Sequence, residues 1–409
     1  MIFGFPRNGR GINDFVIAQE FGGGGGEIFS ELTVWHIHIA ANFTGEATQQ
    51  TLDNMFKGIY HGKQCHIADV SAVLSRAWNA GVERIIDQSP QSRISQIREG
   101  SGQSQADPPD PSPRGRAQAG GRANLVTGGS LEESKEALAI AETDGRLFCT
   151  VGVHPTRCKE FEDSGDPEKH FQDLISLARK GVEKGKVVAI GECGLDYDRL
   201  QFCSAEIQKK YFEKQFELAR AMKLPMFLHM RAAAVDFCDI LARHEDKFSF
   251  GVAHSFTGSA EDRDKLLSFS NLYIGEPDHL LGLGSGVNGC SLKSSENLEV
   301  VREIPVERIM IETDSPYCEI KNTHAGISLV KSAWPAKKKE KHDPNCIVKG
   351  RNEPCLIRQV LEVLAGCKGV DDINQLSKII YHNTCRVFFP QDLDSMADAY
   401  FDSLDTQKK

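Results

Sequence analysis

Five short apolar runs in this chain end on residues that hold metals or move protons. LFCTVGVH ends at His154, VVAIGE at Glu192, LPMFLH at His229, FGVAH at His254, and RIMIETD at Asp314. A lone histidine at the end of a strand is more often a hydrogen-bonded structural residue; five such endings in one chain form a pattern. Imidazoles and carboxylates together make a mixed nitrogen and oxygen donor set suited to a divalent metal, with Mg²⁺ the first choice and Mn²⁺ or Zn²⁺ the alternatives. The set has room for one ion, or for two about 4 Å apart bridged by Glu192, an arrangement that suits phosphodiester cleavage. A further stretch, TVWHIHIAANFT at 33–44, places His36 and His38 two apart. On a strand, that spacing turns both rings to one face, as a metal clip requires.

These residues must be brought together by the elements that carry them. The five runs are short and rich in branched or aromatic side chains, as buried parallel strands are. Amphipathic helical stretches lie between them. In SLEESKEALAIAETDG, Ser130 is placed to cap and Glu133 stands three residues later, with Leu131, Ala137, Leu138 and Ile140 on the apolar face. In SAEIQKKYFEKQFELARAM, Ile207, Tyr211, Phe212, Phe216 and Leu218 recur at helical spacing. Repeated β-α units from Val34 onward predict an α/β protein built as a (β/α)8 TIM barrel, with a doubly wound sheet as the alternative. In a barrel the C-terminal ends of all strands open on one face, so the five ligand-type residues would converge there.

Bulk composition narrows the partners. The chain has 409 residues, 40% hydrophobic and 26% charged, with a net charge of −9. That balance argues against a wholesale electrostatic grip on nucleic acid; contact would be local or bridged by cations. The twelve cysteines show no C-x-x-C pairs and several, such as Cys149 and Cys193, sit inside apolar runs. They read as reduced, buried thiols of an intracellular protein, cytoplasmic or nuclear. No apolar run approaches the roughly 20 residues needed to span a bilayer, and the N-terminus lacks the order of a secretory signal. Residues 1–33, with FGGGGGE, read as a disordered extension, and 391–409 as a C-terminal tail. Residues 88–124 hold no aromatic residue and are dense in Pro, Gly, Ser and Gln, a composition that cannot bury enough surface to offset chain entropy. They read as a disordered insertion, and the glycine-containing 276–286 reads as an inserted loop.

The motifs VGVHPTRC, IGECGLDYDRLQFC, LPMFLHMR, HSFTGS, IETDSPYC and RNEPCLIRQVLEV, with NMFKGIYHGKQCH near the start, resemble those of the TatD-like deoxyribonucleases, in particular the eukaryotic, plant-like members. The resemblance spans residues 34–390 apart from the two insertions and a shorter one near 45–52. It implies a metal-dependent hydrolase barrel that cleaves DNA, often as a 3′→5′ exonuclease. By this similarity Glu192 resembles the bridging ligand, His229 and His254 resemble ligands of one ion, and Asp314 resembles a ligand that also activates water. His154 resembles the contact to the scissile phosphate. Arg199 and Arg231, just beyond ligand motifs, are candidates to hold flanking phosphates, though a plain surface salt bridge is an equal reading of each. The family's first strand places an aspartate where this chain has His38, so His36-Ile37-His38 falls two residues too early for the clip, about 6–7 Å down the strand. Asn42 becomes the first-strand candidate for substrate contact. WPAKKKEK at 334–341 is a local basic patch beside an aromatic, and a solvated charge run is its simpler reading.

Two other functions fit the residues. A hydrolase of small esters or amides would keep the barrel and metal but have a pocket closed to polymers. A catalytically inactive scaffold would bind metal without turnover; the altered first strand and the insertions motivate that reading.

Overall fold

Eight parallel strands alternate with helices along the chain, and the strands close on themselves. In the computed structural model, which describes residues 36–41, 55–87, 129–269 and 283–393, the barrel strands are β1 (His36–Ala41), β2 (Val82–Asp87), β3 (Leu147–Val151), β4 (Val187–Asp196), β5 (Met226–Arg231), β6 (Gly251–His254), β7 (Leu283–Val287) and β8 (Ile309–Ser315). Each strand pairs with its sequence neighbours, and β1 pairs with both β2 and β8 to close the ring. This is the (β/α)8 barrel that the alternation predicts; the doubly wound sheet is ruled out by the closing pair.

The helices cover the outside. They are α1 (Val70–Asn79), α2 (Leu131–Ala141), α3 (Lys159–Asp163), α4 (Pro167–Glu183), α5 (Ala205–Met222), α6 (Ala234–Arg243), α7 (Ala260–Leu267), α8 (Ser295–Glu303), α9 (Ile357–Lys368) and α10 (Ile373–Phe388). Ser130 caps α2, its hydroxyl accepting from the Glu133 backbone N–H at 3.2 Å. The α5 stripe of Tyr211, Phe212, Phe216 and Leu218 is buried against the barrel wall.

Strand alternation decides what fills the barrel. Phe227, Val252 and Met310 lie near the starts of β5, β6 and β8 and pack inside with Ile86, Ala189 and, from the chain's end, Phe388 and Phe389. Two residues further on, the same inward rows carry His229, His254 and Glu312. Phe227 and Val252 are register partners, as are His229 and His254, so an apolar plug forms one layer and the ligand-type side chains the next.

One segment differs from the sequence reading. The glycines of 276–286 suggest a loop, but Leu283–Val287 is strand β7, paired with β6 and β8. The glycine at 286 is there for space: a Cβ on Gly286 would stand 2.6 Å from a Glu312 carboxylate oxygen. A strand glycine here marks close approach of a neighbouring side chain, where an inserted loop is expected from the sequence. The insertion expected at 88–124, the N-terminal extension at 1–33 and residues 394–409 of the tail lie outside the described residues.

Candidate active site and metal centre

The strand ends converge on Glu192. Its Oε1 lies 2.7 Å from His229 Nδ1, 2.8 Å from His254 Nε2 and 3.5 Å from His154 Nε2. The His229 ring also reaches Asp196, with Nε2 3.3 Å from Oδ2. His254 Nδ1 faces Glu312 Oε1 at 3.5 Å and Asp314 Oδ1 at 3.9 Å. Five residues singled out in the sequence, His154, Glu192, His229, His254 and Asp314, therefore meet at the C-terminal mouth of the barrel.

Local backbone explains how they fit. Glu192, Gly194 and Asp196 share one face of β4, and a Cβ on Gly194 would stand 2.0 Å from the His229 carbonyl. Only glycine lets β5 come close enough to bring His229 between the two carboxylates. Ala232, Ser255 and Asp314, at or just beyond the ends of β5, β6 and β8, all have positive φ, between 48° and 57°. Left-handed backbone at non-glycine residues is uncommon and clusters at functional sites.

Two carboxylates here were not singled out from the sequence, Asp196 and Glu312, both fully buried. Glu312 accepts hydrogen bonds from the Ser255 N–H and from Asn288 Nδ2. A signal for each existed. Asp196 follows Glu192 by four residues and Glu312 precedes Asp314 by two, which in a strand means the same face.

The electrostatics are set by buried imidazoles packed among carboxylates. Burial alone would push the Glu192 carboxyl up, but the charge of His254 and the hydrogen bonds from His229 and His254 hold it well below the usual range. Burial opposes protonation of His254, yet Glu192, Asp314 and Glu312 raise it well above the ordinary histidine value. His154 is different: burial pushes it down to about 3, so it is neutral. The Thr156 backbone N–H donates to its Nδ1 at 3.2 Å, which leaves the proton on Nε2, facing the site. The Asp314 carboxyl is pushed up to about 6, first by burial.

The residues fit a divalent metal. Four buried polar atoms of this cluster, His154 Nε2, Asp196 Oδ1, His254 Nδ1 and Glu312 Oε2, have no hydrogen-bond partner among the described residues. Buried polar atoms are rarely left unpaired, and the donors are imidazole nitrogens and carboxylate oxygens. Ligand atoms of His154, Glu192 and His229 lie within 4.8 Å of one another, and His254, Asp196 and Asp314 beside them are further side chains that could hold an ion.

The remaining candidates lie around this centre. Arg199 Nε stands 3.7 Å from Asp196, and Arg231, exposed, pairs with Asp198 at 3.2 Å. Both sit at the mouth, already engaged with acidic neighbours. Asn42 lies outside the described residues. Register places Ile39 level with Glu312, so His36 and His38 lie deeper in the barrel than the carboxylates of β8. A groove of about 620 Å³, lined by Tyr197, Asp198, Arg231, Val235, Asp236 and Asp262 among others, opens beside the ends of β4, β5 and β6.

A second cluster has the same residue types. His66, Asp69 and His342 bring their ligand atoms together where the loop after β1 meets the loop after β8. Here Arg351 donates to both Asp69 oxygens at 2.7 Å, and His342 Nε2 lies 3.0 Å from the same carboxylate. The two imidazoles stack face to face, centroids 4.2 Å apart and planes within 8°. Ring nitrogens bind metal in the plane of the ring, so parallel stacked rings cannot both aim at one ion. The Arg351 guanidinium already supplies the positive charge. This cluster is a clasp between two loops.

A model of TatD-related DNases matches residues 63–389. This chain belongs to the TatD-related DNase family. The family member deoxyribonuclease Tat-D of Schizosaccharomyces pombe is 38% identical over 336 residues, 81% of this chain and 91% of that one. The 3′-5′ ssDNA/RNA exonuclease TatD of Yersinia pseudotuberculosis is 31% identical over 268 residues, 64% of this chain and 86% of that protein. Among solved structures, a TatD-family hydrolase from Entamoeba histolytica superposes with a TM-score of 0.67 at 30% identity, covering 87% of this chain and 99% of its own. The TatD-family chain described here is accordingly a hydrolytic nuclease on a (β/α)8 barrel.

Proposed function

We propose that this chain is a divalent-metal-dependent deoxyribonuclease that removes nucleotides from the 3′ end of a DNA strand. The observation that carries the reading is the buried Glu192 carboxylate, touched by three histidines and open to the barrel mouth. The names of the relatives support DNA as the substrate, and one of them supports single strands and the 3′→5′ direction. The mixed imidazole and carboxylate donors support a divalent ion, Mg²⁺, Mn²⁺ or Zn²⁺.

A divalent ion held by His229, His254, Glu192, Asp196 and Asp314 would supply Lewis-acid stabilisation of phosphate charge and acidify water. The chain's own residues do the rest. Asp314, at the end of β8 beside His254, is placed to take the proton of the attacking water. His154 stays neutral and donates its Nε2–H to a phosphate oxygen, where negative charge builds. Arg199 and Arg231 stand at the mouth to meet flanking phosphates on exchange from their aspartate partners.

The test is release of nucleotides from a 5′-labelled single-stranded oligodeoxynucleotide, with Mg²⁺ or Mn²⁺ and with EDTA, by wild type and Glu192→Gln. A 3′-shortened ladder that needs metal and vanishes in the variant is expected. A folded, metal-binding wild type that leaves the oligonucleotide intact would overturn the reading.

A further inference from the structure

The mouth of the barrel is electrically lopsided. On the side of β4 to β6 its groove is lined by Asp198, Asp236 and Asp262 around a single Arg231. On the side of β8 and β1 the loops carry lysines. The segment 331–349 contains six lysines against Glu340 and Asp343, in a chain whose net charge is −9. Lys337, Lys338, Lys341 and Lys349 are exposed, as is Lys63 in the facing loop after β1.

Topology and contacts put this lysine run on the active face. The segment belongs to the long loop that leaves β8 after Ser315. Ala336 and Lys337 pair with Ile347 and Val348. Four residues after Val348, Asn352 donates to the Thr313 and Tyr317 carbonyls at 2.7 Å. Four residues span at most about 14 Å, neighbouring strands lie about 5 Å apart and the Asn352 hydrogen bond adds about 6 Å, so Lys337 is within about 25 Å of the end of β8. The run is also fixed: Lys339 lies over the Tyr60 ring at 4.8 Å, and the Asp69–Arg351 clasp pins the loop beneath it. Along the chain, Tyr317, 44% exposed, comes between Asp314 and the run. An exposed aromatic followed by fixed cations is the chemistry of single-strand binding, stacking for a base and charge for the backbone.

We propose that the β8 loop is the strand-holding rim of this enzyme: Tyr317 stacks a base next to the reacting end, and Lys338 and Lys341 hold phosphates further along the same strand. This inference rests on the nuclease reading for its substrate. Strand binding can be tested without cleavage.

The test is fluorescence anisotropy of a labelled thirty-residue oligothymidylate in EDTA, with cleavage of the same strand in Mn²⁺ measured alongside. The variants are K338Q/K341Q, K338E/K341E and Y317A. K135Q/K180Q, on exposed lysines of α2 and α4, is the control with the same change in net charge. Each single-strand phosphate neutralised contributes about 0.7 to the slope of log affinity against log salt, so K338Q/K341Q should flatten that slope by about 1.4. K338E/K341E should weaken binding about tenfold or more at low salt, and Y317A by about tenfold. The control should bind as wild type does. Equal binding and slope in wild type and the rim variants would overturn the rim. Rim-dependent binding by a wild type that does not cleave would overturn the nuclease reading and leave the rim standing. A wild type that neither binds nor cleaves would overturn both.

Discussion

Two histidine–carboxylate clusters lie near the same mouth, and they differ in what the carboxylate already has. Glu192 is surrounded by imidazoles and further carboxylates, with Asp196, Glu312 and Asp314 adding negative charge and no arginine or lysine touching its oxygens among the described residues. Asp69 is met by a bidentate guanidinium. Burial would raise its carboxyl, but the hydrogen bonds and charge of Arg351 hold it below the ordinary value of 3.8. Composition alone does not tell these clusters apart. What separates a metal centre from a clasp is a surplus of acceptors and rings whose planes converge.

That contrast can be broken most sharply at Glu192. Glu192→Gln should lower the cleavage rate by on the order of a thousandfold or more and weaken Mn²⁺ binding in a calorimetric titration, with thermal stability largely kept. The mirror experiment is Arg351→Met. It removes the guanidinium that bridges the buried Asp69 and Glu353 and leaves them only His342 and Arg76, a loss of about 3 kcal/mol, or a fall in Tm of several degrees. Mn²⁺ stoichiometry in the folded variant should be unchanged; if it dropped, the second cluster would have to be counted as a metal site.

His154→Gln comes next. It should cut kcat by about a hundredfold while leaving Mn²⁺ affinity near wild type, since the neutral ring is assigned to the phosphate. A matching loss of metal affinity would make His154 a ligand.

Acid should act on the clasp through Asp69. Its pKa in the fold is depressed, so its contribution to stability is present in full above the unfolded value near 3.8 and is lost as pH falls through the folded value. Tm measured from pH 5 downward should therefore fall more steeply in wild type than in Arg351→Met, where the shift has lost its cause. The smallest effect is expected from His66→Gln with His342→Gln: Tm within a few degrees of wild type and identical Mn²⁺ binding, because surface-side imidazole contacts contribute about 1 kcal/mol or less.

Much of the active centre was legible in the sequence because it is local. Each of its ligand-type residues ends a short apolar run, and the barrel rule converts five strand ends into one site. Asp196 and Glu312 were equally local, at same-face spacing from Glu192 and Asp314, and were passed over because motif reading fixes on one residue per strand. Strand β7 was misread since Gly284 and Gly286 look like a turn, and the reason for Gly286 is Glu312 on another strand. The clasp left no trace of its pairing. Asp69 and Arg351 are 282 residues apart, and nothing in either segment names its partner.

That separation sets an order of events when the chain is made. Synthesis runs from the N-terminus at about 5–20 residues per second, so β1, α1 and Asp69 leave the ribosome well before Arg351 exists. Until then the first β-α unit has neither its β8 neighbour nor the guanidinium that its buried carboxylate requires, and the ring stays open along the β1–β8 seam. The nascent nuclease therefore carries an unsealed edge for most of its translation, with the site's last carboxylates, Glu312 and Asp314, arriving on the strand that seals it. Assembly of the catalytic centre and closure of the barrel are one late step, and a nascent chain stalled before residue 309 has neither.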